Sequence, residues 1–233
     1  MADEPRRVPW LDDIKKTGKL TIFIDDSIGR AGWGQVFKNA IDEFKRLARE
    51  HKLGVTLVPL ADKNKANVEA KAVAGDKIAF SYPPRKLSET IVFDSTKPHG
   101  LTRMVMVPVL DATKVEHLRV EKAFVHVPAA PMRDRNGKPS PVGDPIKLVI
   151  AVHELIHVCG LVNNLEHSVD DVFSWPNLII RDKPGDDRVG TYGGQYTFPG
   201  KPGQPDRVGH RTVEMPPVFL KGETADKIRK LWS

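Results

Sequence analysis

Hydrophobic and polar residues follow patterns near the start of the chain that predict a strand, a helix and a second strand. Residues 20–25 are rich in β-branched and aromatic side chains, which favours a strand. Residues 33–52 show helical spacing of the apolar positions Val36, Phe37, Ala40, Ile41, Phe44, Leu47 and Ala48. Residues 55–60 predict the next strand. This order predicts a βαβ unit with a right-handed crossover, and therefore two parallel strands.

The rest of the chain alternates between short apolar segments and breaker-rich ones. Further strands are predicted over 77–82, 101–109 and 123–127. Residues 132–144 contain Pro, Gly, Asn and charged residues and predict a loop. A strongly apolar helix is expected over 145–159, with Gly160 at the left-handed position that ends it. A long irregular excursion follows over about 168–212, before a last helix with apolar positions Ala225, Ile228, Leu231 and Trp232.

Composition fits one soluble domain spanning residues 1–233. The net charge of +6 is spread without blocks of like charge, which argues against a nucleic-acid-binding surface. The lone cysteine, Cys159, excludes an intrachain disulfide and is expected to be a small buried residue. The first residues lack the apolar core of a signal peptide, and no segment reaches membrane-spanning length. We therefore expect a cytoplasmic protein, or a secreted one if a leader has already been removed.

The apolar helix carries the sequence His153-Glu154-Leu155-Ile156-His157. Histidines four residues apart lie on nearly the same helix face, so both imidazoles can reach one metal ion. Glu154 lies about 100° further round the helix, beside such an ion rather than bound to it. The pattern thus predicts a zinc site with His153 and His157 as ligands and Glu154 as a general base.

These residues resemble the metzincin clan of zinc endopeptidases, most nearly its matrixin-like group. His153, Glu154, His157 and Gly160 match the clan pattern in spacing, and Met215, before Pro216 and Pro217, is similar to its methionine turn. The resemblance implies an α/β (α+β) fold. This fold has a twisted, mostly parallel sheet, two long helices including the active-site helix, and a C-terminal helix. It also implies one catalytic Zn²⁺ ion. Structural Ca²⁺ is compatible with the resemblance, but no loop has a calcium-ligand pattern.

The third zinc ligand departs from the clan pattern. The expected position holds Asn163, a poor zinc ligand, whereas His167 follows four residues later and precedes a serine as in the family. We interpret this as a short insertion that leaves His167 as the ligand. The alternatives are carboxylate ligation by Glu166, Asp170 or Asp171, because catalytic zinc sites accept nitrogen or carboxylate.

The resemblance implies an endopeptidase that binds a peptide or protein substrate along a sheet edge. The candidate edge strand is 101–109, and an outward Arg103 there is the kind of charge that guards an exposed edge. Two alternatives stay open: a zinc-dependent amide hydrolase acting on a non-protein substrate such as cell-wall peptide, and a non-catalytic binding module that retains the fold. No membrane partner is expected, and the oligomeric state is not predicted.

Overall fold

The computed structural model describes residues 7–135, 138–162, 195–198, 207–210, 218, 220 and 222–233. Its helices, numbered among these residues, are α1 (Asp12–Thr17), α2 (Asp26–Arg30), α3 (Gly34–Glu50), α4 (Asp144–His157) and α5 (Gly222–Trp232). None of the described helices combines the length and the hydropathy that crossing a membrane requires.

The central sheet has five strands in the order β2, β1, β3, β7, β6. These strands are β1 (Lys19–Ile24), β2 (Thr56–Pro59), β3 (Val68–Val73), β6 (Leu101–Leu110) and β7 (Glu116–Pro128). The pairs β1–β2, β1–β3 and β3–β7 are parallel, whereas β6 runs antiparallel to β7 at the end of the sheet. The predicted strand–helix–strand unit is confirmed as β1, α3 and the parallel β2. The fold is thus mixed α/β with a mostly parallel central sheet.

The main hydrophobic core lies between the sheet and the two long helices. The amphipathic face predicted for α3 is buried in it, with Phe37 and Phe44 fully enclosed. Helix α4 packs beside α3 and contributes Ala151, Val152 and Leu155 to the same core. Burial of such side chains contributes on the order of 1.5–3 kcal/mol each. The motif helix is therefore held rigidly against the sheet.

A second, smaller core lies on the other face of β6 and β7. Successive strand residues point to opposite faces, and Phe124 lies between Ala123 and Val125 of the main core. Phe124 packs edge-on against Phe80 at a ring-centroid distance of 5.0 Å. Phe80 belongs to the antiparallel hairpin of β4 (Lys77–Tyr82) and β5 (Leu87–Val92), which covers this face.

Two segments predicted to be irregular contain short hairpins, so those predictions are wrong in part. The segment 132–144 contains the antiparallel pair β8 (Met132–Arg135) and β9 (Lys138–Pro141), and 168–212 contains the antiparallel pair β10 (Gln195–Phe198) and β11 (Arg207–His210). Each strand has only four residues, too few for alternation to appear in the sequence.

Candidate functional site

Helix α4 carries the predicted site residues. It begins at Asp144 and ends at His157, close to the predicted 145–159. Pro145 occupies the first turn, where its missing N–H costs no hydrogen bond. The helix is apolar around most of its circumference, with Leu148, Ile150, Ala151, Val152, Leu155 and Ile156 all buried. The three polar side chains of the motif therefore lie within a largely apolar environment.

The two motif histidines lie together on this helix. The rings of His153 and His157 have centroids 5.0 Å apart at an interplanar angle of 72°. Two imidazoles that bind one tetrahedral zinc ion have centroids about 5 Å apart, because each nitrogen lies about 2.0–2.1 Å from the ion. His157 is buried and His153 is half-buried. The spacing of the rings thus fits two ligands of a single ion.

A backbone carbonyl fixes the tautomer of His157. Its Nδ1 lies 2.6 Å from the carbonyl oxygen of Leu161. Because a carbonyl oxygen only accepts hydrogen bonds, Nδ1 carries the proton, and in the neutral ring Nε2 carries the lone pair. Metal-binding histidines are commonly oriented in this way, by donating their other ring N–H to a carbonyl. Nε2 is therefore the ring nitrogen of His157 that is available to bind a metal ion.

Glu154 is buried, with only 3 % of its surface exposed. Its Oε2 accepts a hydrogen bond of 2.7 Å from the hydroxyl of Thr102, which comes from the start of β6. Burial raises the pKa of Glu154 to about 8, while the Thr102 hydrogen bond opposes that rise. A carboxyl group whose pKa lies near physiological pH is suited to accepting and returning a proton there.

Gly100 makes room for the Glu154 side chain. A Cβ atom at position 100 would lie 2.5 Å from Cγ of Glu154 and 2.8 Å from Cδ and Oε1. These distances are far below van der Waals contact, so any larger residue would displace the carboxylate. Gly100 and Thr102 therefore define the position of the Glu154 carboxylate from the sheet side.

The chain turns sharply just after the motif helix. Gly160 has a φ of +108°, in the region that favours glycine, which confirms the predicted helix-ending role. Its backbone packs tightly against the carbonyl of Val8, leaving no space for a Cβ. The N–H of Val8 in turn donates a 2.9 Å hydrogen bond to the carbonyl of Gly160. The N-terminal segment thus supports the turn that follows the helix.

Two tryptophans complete the support of this turn. The indole N–H of Trp10 donates to the carbonyl of Val158 at 2.7 Å. The indole N–H of Trp232, in α5, donates to the carbonyl of Cys159 at 3.0 Å. The last carbonyls of a helix lack intrahelical partners, and a buried carbonyl without one costs free energy. Residues from near both ends of the sequence, Trp10 and Trp232, thereby fix the turn that holds the Leu161 carbonyl against His157.

Strand β6 lies beside the site at the end of the sheet. Its predicted position at an edge is confirmed: β7 is the strand that pairs with it among the described residues. The expectation for Arg103 needs correction, because its Nε donates a 2.8 Å bond to Oε1 of Glu89 in β5. The ion pair ties the hairpin β4–β5 to β6, so the charge links the two rather than guarding a bare edge.

Several predicted site residues lie outside the described residues. These are the third-ligand candidate His167, its alternatives Glu166, Asp170 and Asp171, the clan position Asn163, and Met215. Within the part of the chain that the structure describes, no group of three or more His, Cys, Asp or Glu side chains is positioned to hold a metal. The zinc-ligand roles of His153, His157 and His167 therefore stay predictions.

Sequence reasoning missed four residues as supports of the site, although Trp232 was predicted as an apolar position of the last helix: Thr102, Gly100, Trp10 and Trp232. Thr102 and Glu154 are 52 positions apart, and no local pattern relates a threonine on a strand to a glutamate on a later helix. The two tryptophans lie near opposite ends of the sequence, and no local pattern relates them to the turn after α4. Cys159, by contrast, is fully buried as expected, and burial raises the pKa of its thiol, so it behaves as a core residue.

Comparison with known proteins adds no relative. No protein-family model matches this chain, and no curated protein matches it. The chemistry of the site is therefore argued from its own residues.

Proposed function

We propose that this protein is a zinc-dependent endopeptidase in which Glu154 is the general base and acid. One observation carries the proposal: a buried glutamate, anchored by Thr102, shares one helix with two histidines whose rings are 5.0 Å apart, and one of these histidines donates its Nδ1 proton to a carbonyl. Removing polar groups from water costs free energy, so the presence of three polar side chains on one largely apolar helix supports a functional role. A metzincin-like fold is part of the same proposal.

The ligand set that we propose is His153, His157 and His167, with one ligand position left for water or substrate. A zinc ion held there would polarise the scissile carbonyl and acidify a water molecule. Glu154 accepts a proton from the attacking water as its oxygen bonds to the carbonyl carbon. Glu154 then returns the proton to the nitrogen as the C–N bond breaks, which releases a carboxylate and an amine. Water is the only co-reactant.

An extended peptide is the substrate that the surroundings favour. The start of β6 lies directly against Glu154 through Gly100 and Thr102, and β6 ends the sheet among the described strands. A peptide can add to such an edge through main-chain hydrogen bonds, as in strand addition. In this proposal, a peptide paired with the start of β6 has one of its amide bonds near Glu154. This geometry favours a polypeptide over a small non-protein amide.

The test is hydrolysis of a peptide library by wild type and the Glu154→Gln variant, with zinc content measured on both. Because glutamine is close in size but cannot take up the proton, we expect zinc to be retained and hydrolysis to fall at least about 100-fold. Glu223→Gln, which changes an exposed glutamate of α5, is the control and retains activity. Full activity of Glu154→Gln, or wild type that takes up no zinc, contradicts the proposal.

The third ligand is tested separately. Replacing His167 with Ala is expected to lower zinc content sharply, because three-ligand sites lose most of their affinity with one ligand. Replacing Asn163 with Ala is the matched control and leaves zinc content unchanged. The reverse pattern, or loss of zinc only in variants of Glu166, Asp170 or Asp171, would replace His167 as the assigned ligand.

A further inference from the structure

The start of β6 makes two independent contacts with the side chain of Glu154. Thr102 donates its hydroxyl proton toward Oε2 at 2.7 Å, with the main-chain oxygen of Glu154 more distant at 3.0 Å. Gly100 lies so close that a Cβ there would overlap Cγ, Cδ and Oε1. One contact pulls the carboxylate toward the strand, and the other limits how far it can move.

We propose that Gly100 and Thr102 form a seat for the general base, with Thr102 as a positioning residue. The inference rests on the proposed function, because it assigns these residues a role in the same reaction. The Thr102 hydroxyl engages Oε2, which assigns Oε1 as the oxygen that exchanges a proton with water and with the leaving amine. The seat holds a side chain with three rotatable bonds in one orientation.

Fixed orientation matters because proton transfer requires hydrogen-bonding distance in the transition state. A displacement of about 1 Å costs on the order of 100-fold in rate. Thr102 also belongs to β6, the strand whose edge is the proposed binding site for the peptide, and Gly100 directly precedes this strand. The same stretch of backbone therefore positions the Glu154 carboxylate and, in this proposal, also pairs with the peptide.

Three variants separate positioning from a purely structural role. Thr102→Val keeps the shape of the side chain but removes the donor, Thr102→Ser keeps the donor, and Gly100→Ala keeps the donor but fills the space. The matched control is Thr21→Val, which removes the half-buried hydroxyl that lies 2.8 Å from Oδ1 of Asn67 in another part of the sheet. Far-UV circular dichroism and thermal midpoints establish that each variant is folded.

We expect Thr102→Val and Gly100→Ala to lower kcat about 10- to 100-fold. KM and zinc affinity, the latter measured by chelator competition, should stay within about twofold, since the seat orients the general base and contacts neither substrate nor zinc. Thr102→Ser should restore kcat to within about threefold of wild type, and Thr21→Val should not lower it. Unchanged kcat in Thr102→Val and in Gly100→Ala would overturn the proposal.

A second readout does not depend on activity. Crystal structures of the metal-free wild type and variants should show the Glu154 carboxylate in place with Thr102→Ser, and rotated away with Thr102→Val and Gly100→Ala. If the carboxylate does not move in Thr102→Val and Gly100→Ala, the proposed seat is refuted even if the proposed function holds. If wild type neither binds zinc nor cuts peptides, the proposed function fails, and the same structures still decide whether the seat holds the carboxylate. Should Thr102→Val not fold, Gly100→Ala and Thr102→Ser carry the test.

Discussion

His126 is expected to make the protein lose stability in mild acid. Its side chain is fully buried in β7, with Nδ1 3.3 Å from the carbonyl of Leu101, and its Nε2 has no hydrogen-bond partner among the described residues. Burial, assisted by the nearby charge of Lys71, lowers the pKa of His126 to about 4. The folded protein therefore keeps this imidazole neutral at a pH where an unfolded chain has already protonated it.

The magnitude follows from the two pKa values. With a reference pKa of 6.5 and a folded value of about 4, the unfolded state binds more protons between these values, so stability falls as pH falls from 6.5 to 4. The complete loss is about 3 kcal/mol, and the part lost between pH 7.5 and pH 5 is about 2 kcal/mol. A change of that size lowers the thermal midpoint by about 4–8 °C in a chain of this length.

The assay is urea unfolding of metal-free protein at several pH values between 5 and 7.5, followed by tryptophan fluorescence. His126→Asn keeps a donor near the Nδ1 position but does not titrate, so the difference between wild type and variant isolates the histidine. This subtraction is needed because Glu154 acts in the opposite sense. Because its pKa rises from 4.5 to about 8 on folding, the contribution of Glu154 to stability is present at low pH and is lost as pH rises from about 4.5 to 8.

The control is His51→Gln, which removes a half-buried histidine at the end of α3 but leaves His126 in place. This variant should keep the His126-dependent loss. If His126→Asn and wild type show the same change in unfolding free energy between pH 7.5 and 5, the claim that His126 stays neutral in the folded protein is refuted. Nitrogen NMR that shows His126 titrating near pH 6.5 in the folded protein would refute it equally.

Three further outcomes are expected. Gly160→Ala should cost about 1–3 kcal/mol in unfolding free energy, because φ is +108° and the Val8 carbonyl occupies the space, whereas Gly29→Ala, with open space around it, should change little. Trp10→Phe leaves the Val158 carbonyl without its donor and should cost at least about 1–3 kcal/mol in urea unfolding, with a severalfold loss of zinc affinity. A thiol reagent should modify Cys159 only after unfolding; rapid reaction of native protein would contradict its burial.

The elements that the sequence predicted well are those whose pattern is long or strong. Helix α3 buries the predicted positions because seventeen residues display nearly five turns of one apolar face. Strand β3 escaped prediction although it lies in the middle of the sheet. Its sequence Val-Glu-Ala-Lys-Ala-Val places charged residues where a central strand is usually apolar. Glu69 is tolerated there because Lys63 pairs with it at 2.9 Å, a tertiary contact that no local pattern encodes.

In the candidate site, too, the sequence predicted what depends on local spacing and missed the contacts between distant segments. The relation of His153, Glu154 and His157 follows from helix geometry alone, since the three residues lie within five positions. Their second partners come from distant segments: Thr102 from the start of β6, and Leu161 from a turn held by Val8 and two indoles. The sequence therefore predicts which groups do the chemistry, while the tertiary structure decides how each one is oriented.

The way these partners act bears on whether the motif is structural or functional. A glutamate kept for stability alone would be expected to recover its burial cost through ion pairs, or to be replaced by an apolar residue of similar size. Glu154 instead has one hydroxyl donor on Oε2, and its pKa still stays near 8. The Leu161 carbonyl likewise orients the ring of His157 through one hydrogen bond. Buried polar groups that are held in one orientation, at a cost in folding stability, are typical of reactive sites.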